Sequence, residues 1–234
     1  MSVLTLLLAG PLQSWGASAR FTRRTTEAAP TKSGVIGLLA AAAGIDRADD
    51  TRLATLAALR FAVRIDQPGV RIRDFHTAHH GDTGKSMPLT ERFYLADAVF
   101  VAAVEGPRDV LTGLRAALRD PVYPPFLGRR SCPPAQPVEL RLHDKRDLLQ
   151  ALTTEPWQAS PWYRRQRREP TATLDVLIEA SPGQAGDLQR DQPLSFAPAH
   201  RRHTVRTIAT TTVNAPHPGA KRHDPFAALQ EESD

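Results

Sequence analysis

The pattern of apolar and polar positions divides the chain into short, recognisable pieces. Val3 to Leu8 is a short, mainly apolar run ended by Gly10-Pro11, which predicts a buried first strand rather than the basic leader of a signal peptide. From Pro30 to Gly44 the apolar residues Val35, Ile36, Leu38, Leu39 and Ala40 to Ala43 face every direction of a helix, so the helix is predicted to be buried rather than amphipathic. Thr31 or Ser33 can cap it, and Gly44 ends it. Asp50 to Leu59 reads as a short second helix. Phe61 to Ile65 and Val70 to Phe75 alternate as half-buried strands separated by the turn Pro68-Gly69, and Phe93 to Val104 is a third strand-like region. The intervening His76 to Thr90 is polar and glycine-containing, which predicts a long hairpin with a mobile tip projecting from the sheet. Pro107 to Leu118 carries Val110, Leu111, Leu114 and Leu118 at helical spacing.

Pro121 to Pro134 breaks all periodicity and holds Gly128-Arg129-Arg130-Ser131 as a stiffened basic loop, after which Val138 to Leu142 closes the sheet. The order strand, helix, strand, hairpin, helix, strand predicts an α+β chain with a ferredoxin-like or RRM-like antiparallel βαββαβ core and a β-hairpin thumb. The last third is less regular. Asp147 to Leu152 is a short helix, Glu155 to Pro170 a flexible or partner-facing loop, Thr171 to Ala180 a strand, Pro182 to Asp191 a loop, and His203 to Val213 a β-rich segment. From Asn214 onward a poorly ordered tail is expected. The organisation read from this is an RRM-like domain over residues 1–145, with its thumb at about 70–104, and a β-rich extension over 146–234.

Charge adds a partner to this picture. Lys and Arg total 30 against 25 acidic residues, a modest +5, but arginine comes in clusters at 20–24, 71–73, 129–130, 164–168 and 201–206. Guanidinium groups suit phosphate and stack on bases, and Trp and Tyr are interleaved with them, so a polyanionic partner is the leading reading. A single cysteine, Cys132, excludes an intrachain disulfide and fits a reducing cytoplasm. No apolar run reaches the length of a membrane span, so no membrane partner is expected.

Candidate chemistry is sparse. Lys32, Ser33 and Gly34 at the N-terminus of the buried helix invite a phosphate; the alternative is a capped core helix with one solvated lysine. Trp15 is either a core plug or a platform for a base. Gly84-Lys85-Ser86 ends like a P-loop, but His79 stands where the first glycine belongs, which rules that motif out. His76, His79 and His80 lack a carboxylate or thiol at ligand spacing, so no metal is expected, and no cofactor is implied. His76 with Tyr94 and Lys85 is the one set that could cut RNA without metal, as base and phosphorane stabiliser.

Five motifs carry a resemblance: Leu8-Ala-Gly-Pro-Leu-Gln-Ser-Trp-Gly16, Pro30-Thr-Lys-Ser-Gly-Val-Ile-Gly-Leu-Leu-Ala-Ala41, Asp74-Phe-His-Thr77, Arg92-Phe-Tyr-Leu-Ala-Asp-Ala98 and Leu127-Gly-Arg-Arg-Ser-Cys-Pro133. In this order they resemble the CasD branch of the Cas-five family, a subunit of type I-E CRISPR surveillance complexes (Cascade). The resemblance covers residues 1–140 strongly and the rest weakly. It implies an RRM-like fold with a thumb and a non-catalytic role capping the 5′ handle of the crRNA in antiviral defence. It also implies contacts with the CasC (Cas-seven) backbone subunit and the large CasA subunit, and indirectly with target DNA. The alternative is that of type I-C systems, where the corresponding subunit is an endoribonuclease that processes repeat RNA. The residues expected to contact RNA are Gln13, Trp15, Arg20, Lys32, Ser33, Arg73, His76, Lys85, Arg92, Tyr94, Arg129, Arg130 and Ser131, with no catalytic residue.

Overall fold

The computed structural model describes residues 1–17, 22–167 and 169–217; Arg20 and the tail beyond His217 lie outside the described residues. In chain order the elements are β1 (Ser2–Ala9), β2 (Leu12–Gln13), β3 (Arg23–Arg24), α1 (Lys32–Ala42), α2 (Asp50–Ala57), β4 (Arg60–Gln67), β5 (Val70–His76), β6 (Thr90–Ala96), β7 (Val99–Gly106), α3 (Arg108–Arg119), β8 (Glu139–Asp144), α4 (Leu148–Thr154), α5 (Pro161–Arg164), β9 (Thr171–Glu179), β10 (Asp187–Ser195) and β11 (Arg202–Pro216). The chain is mixed α+β. Its main sheet has seven antiparallel strands in the order β10-β11-β9-β4-β7-β1-β8.

β1 is buried at every residue because both faces of the sheet are covered. On one face Leu4, Leu6 and Leu8 pack with Phe61, Phe100 and Val104 under α1, α2 and α3. On the other, Val3, Ala62, Val101 and Val176 pack against Leu148, Ala151 and Leu152 of α4. The C-terminal strands extend this same sheet through the pairing of β9 with β4.

The hairpin predicted between residues 61 and 104 passes through two sheets. β4 and β7 form its base in the main sheet; β5 and β6 continue it as a second, four-stranded sheet joined by β2 and β3. Two left-handed residues make the transition. Gly69 (φ 72°) has Ala96 O only 2.5 Å from where a Cβ would sit, and Asp97 has φ 56°. The single strand expected over 93–104 is therefore two strands split at Asp97.

Three other expectations change. Pro182 to Asp191 is not all loop: Asp187–Ser195 is edge strand β10, whose polar sequence, Pro193 and register shifts hide it from periodicity and suit an edge. Glu155 to Pro170 is not a free loop, since Trp157 is 1% exposed and its Nε1–H donates to Asp66 O (2.8 Å). Asn214 to Pro216 end β11 in register with β9 rather than starting a tail. No helix among the described residues is long and apolar enough to cross a membrane.

Candidate nucleic-acid interface

The segment Leu12 to Trp15 is a bracket that holds several elements together. Gln13 Nε2 donates to Leu8 O (2.9 Å) and Ala98 O (2.8 Å), and its Oε1 accepts from the Trp15 indole (3.0 Å). Both side chains are wholly buried, so Trp15 is the core plug and not a surface platform. Its ring lies so close to α1 that a Cβ on Gly34 would sit 2.8 Å from Cε3, which is why that position carries glycine. Ser14 N–H donates to Leu127 O (3.1 Å), docking the basic loop onto the bracket.

That loop is a tight turn. Leu127 N–H donates to Cys132 O (2.7 Å) and Cys132 N–H to Arg129 O (2.9 Å), displaying Arg129, Arg130 and Ser131 between them. Gly128 has φ 83°, and a Cβ there would lie 1.8 Å from Ser14 O. We expect Gly128→Ala to cost about 1–3 kcal/mol in backbone strain alone, more with the clash, and to lower the melting temperature. Gly81→Ala, in open space at the hairpin tip, is expected to change stability by less than about 0.5 kcal/mol. Parallel thermal melts check both.

The loop forms one wall of a groove of about 1420 Å³. Its floor is the small-residue face of α1, with Ser33, Gly34, Gly37, Ala40 and Ala41, and its far wall is Phe196 to Pro198 with Arg201. Among the described residues six arginines line it, Arg24, Arg47, Arg92, Arg129, Arg130 and Arg201, against one carboxylate, Asp46. Arg129 stacks over the Tyr94 ring (4.7 Å) and donates from Nη2 to Arg24 O (2.9 Å). Its Nη1 and the Nε of Arg92 are buried donors without a hydrogen-bond partner among the described residues. Burial, and then the positive charge of Arg47, pull the pKa of Arg201 down. The wall therefore carries unmatched positive charge and unspent donors, the arrangement that an anionic backbone satisfies.

The residues expected to bind RNA separate into groups. Arg92, Arg129, Arg130, Ser131 and Ser33 meet in the groove. Tyr94 is 3% exposed and reaches it only through the stacked Arg129. Lys32 is corrected: it is 1% exposed, its Nζ donates to Glu179 Oε2 (3.0 Å) and its backbone N–H to Asp191 Oδ2 (2.7 Å). The anion at the N-terminus of α1 is thus supplied by the chain's own carboxylates, and burial pulls the Lys32 pKa down despite Glu179. Arg73, His76 and Lys85 lie along the exposed hairpin, where Arg73 stacks over Phe75 (4.8 Å) and His76 Nε2 meets Asp74 Oδ2 (2.5 Å). His76 and Tyr94 do not converge. Tyr94 is paired with Ile72 and His76 with Thr90, a separation of about 13 Å along the strands. Sequence reasoning missed Arg24, Arg47 and Arg201 as groove residues; the arginine clusters at 20–24 and 201–206 were the signal for two of them, and Arg47 had none.

Comparison with known proteins gives a consistent result. A family model described as CRISPR-associated protein (Cas_Cas5) matches residues 3–209. The chain is 37% identical over 169 residues to the CRISPR system Cascade subunit CasD of Escherichia coli (strain K12), an alignment that covers 64% of this chain and 75% of the relative. A solved structure described as a CRISPR RNA-guided surveillance complex contains a chain 34% identical, with a TM-score of 0.74, over 92% of this chain and 91% of that one. A crystal structure of a Cas protein matches at 36% identity and a TM-score of 0.70, over 92% and 95% of the two chains.

Proposed function

The chain belongs to the CRISPR-associated protein (Cas_Cas5) family, and from that premise we propose that it is the crRNA-binding subunit of a type I-E Cascade surveillance complex, holding the 5′ handle of the crRNA in the arginine-lined groove. One observation carries this reading: among the described residues the groove gathers six arginines against one carboxylate, and its Arg92 Nε and Arg129 Nη1 are buried without hydrogen-bond partners. Arginine forks on a rigid turn fix the register of a phosphate backbone, and the exposed Tyr123 and the half-buried Phe196 on the walls offer rings to splayed bases.

The order β4-β7-β1-β8 is that of a ferredoxin-like βαββαβ core, which supports an RRM-like reading of residues 1–145 with residues 146–234 as its extension. The β5–β6 hairpin is the thumb in this reading. It reaches toward neighbouring CasC and RNA, while the large CasA subunit docks elsewhere on this chain in the cytoplasm and target DNA is met only through the complex. The subunit is non-catalytic: the His76, Tyr94 and Lys85 set for metal-free RNA cleavage is spread along the hairpin with Tyr94 buried.

Incubating the pure protein with labelled repeat RNA in the presence of a chelator separates the readings. The expected outcome is retention of intact RNA, with the handle segment protected from nucleases. Specific cutting of the repeat, abolished by His76→Ala or Tyr94→Phe, would replace this reading with the endoribonuclease one.

A further inference from the structure

A second basic surface lies across the main sheet from the groove. Trp157 packs with Ala172, Leu174 and Ala215. Leu174 shares its strand face with Val176, which packs against α4, whereas the groove is built on α1 on the other face. Tyr163 stands edge-on to Trp157 (6.0 Å, 73°), and Trp162 edge-on to Tyr163 (5.6 Å, 88°). This run of perpendicular rings leads from the core to an indole 47% exposed, while the other two tryptophans are buried. Backbone bonds from Arg165 N–H to Pro161 O (3.1 Å) and Arg167 N–H to Arg164 O (2.9 Å) fix the turn that follows. The Arg165 and Arg167 side chains are exposed and form no ion pair among the described residues, and residues 161–168 contain no acid. Beside them is an open hollow of about 450 Å³ lined by Tyr163, Gln166, Arg167 and Glu169, which offers both donors and acceptors.

We propose that the arm from Trp162 to Arg167 is a second binding site for single-stranded nucleic acid, with a base stacked on the Trp162 indole and the adjoining phosphates held by Arg165 and Arg167. An exposed ring beside arginines is the recognition unit of sequence-tolerant single-strand binding. The hollow suits the mixed donor and acceptor edge of a base; an acidic peptide would need only the cations. This site is independent of the groove.

The test uses the full chain carrying Arg129→Ala and Arg130→Ala, titrated with a short oligouridylate while tryptophan fluorescence is followed. Quenching is expected, because Trp162 is the one tryptophan open to solvent. Trp162→Ala is expected to weaken the remaining binding by about fivefold to a hundredfold, the range of base–aromatic stacking, and Arg165→Glu with Arg167→Glu to abolish it. Trp162→Phe is expected to retain most of it. Absence of quenching, or unchanged affinity in folded Trp162→Ala, would overturn the proposal. So would polyglutamate binding the arm as tightly as the oligonucleotide, which would identify the surface as a protein dock.

Discussion

Replacing Arg129 and Arg130 together by alanine is expected to weaken binding of handle RNA by at least about a hundredfold. Each arginine lost removes a charge-assisted hydrogen bond to phosphate, worth about 1.5–3 kcal/mol, and every 1.4 kcal/mol is roughly tenfold. The loss is expected to be similar for unrelated handle sequences, because phosphate contacts carry no sequence information. The slope of log affinity against log salt is expected to fall by about 0.7 for each contact removed. The two side chains are not equivalent. Arg129 also braces the fold, through Arg24 O and the face of Tyr94, so part of its effect is local. Arg130 is exposed and makes no side-chain hydrogen bond or ion pair among the described residues, so Arg130→Ala reports the phosphate contact cleanly. If these arginines served only to pair with carboxylates of a neighbouring subunit, assembly would suffer and the RNA salt slope would stay as it was. Affinity measured across a salt series for the wild type, Arg130→Ala and the double variant distinguishes these.

The largest expected effect on stability is at Arg64 and Asp66. Both side chains are wholly buried on β4, joined by Nε to Oδ1 (2.7 Å) and Nη2 to Oδ2 (2.8 Å). Arg64 also donates to Leu152 O, to Glu155 O (2.6 Å) and to Pro156 O (2.8 Å), while Asp66 accepts from Gln158 N–H (2.6 Å). The pair therefore fastens the whole 152–158 turn to the sheet. Burial pushes the Asp66 carboxyl up, and the Arg64 hydrogen bonds oppose that. Removing either partner leaves a buried charge uncompensated, and about 3–5 kcal/mol of stability is expected to go with it. Replacing both by apolar residues relieves a simple ion pair. Here it still leaves three carbonyls and one N–H without partners, so Arg64→Met with Asp66→Leu is also expected to destabilise the chain by several kcal/mol, at about 1–3 kcal/mol for each orphaned group. A denaturant series on the two single variants and the double variant measures this; a double variant as stable as the wild type would show that the carbonyl contacts contribute little.

How much of this was legible in the sequence follows from the range of the interactions. α3 and the strands of the long hairpin are legible because their apolar positions repeat at the period of the element itself, and β1 and α1 because they are continuous apolar stretches closed by glycine and proline signals. The motif around Gln13 and Trp15 marks a position of structural consequence, but its role inverts. Both residues scaffold the groove from beneath and touch no ligand surface. Lys32 reads as a phosphate ligand because its partners are remote: Glu179 and Asp191 stand 147 and 159 residues further along the chain. Trp157 is placed by a carbonyl 91 residues earlier, so a segment that looks like free loop is core. The basic loop was legible as a rigid arginine turn from its glycine and prolines. The other side of the groove was not, since Arg47 and Phe196 come to face it only when β10 packs against α1 and α2.

The crRNA handle is proposed to lie in this groove, and photo-crosslinking of an assembled complex tests that placement most directly. With thiouridine placed through the handle, crosslinked peptides are expected to contain Arg24, Arg92 and the turn from Phe126 to Ser131, and Arg129→Ala with Arg130→Ala is expected to remove most of them. Handle crosslinks confined to the hairpin tip at 77–89 or to the arm at 161–167, with none on the groove walls, would contradict the account.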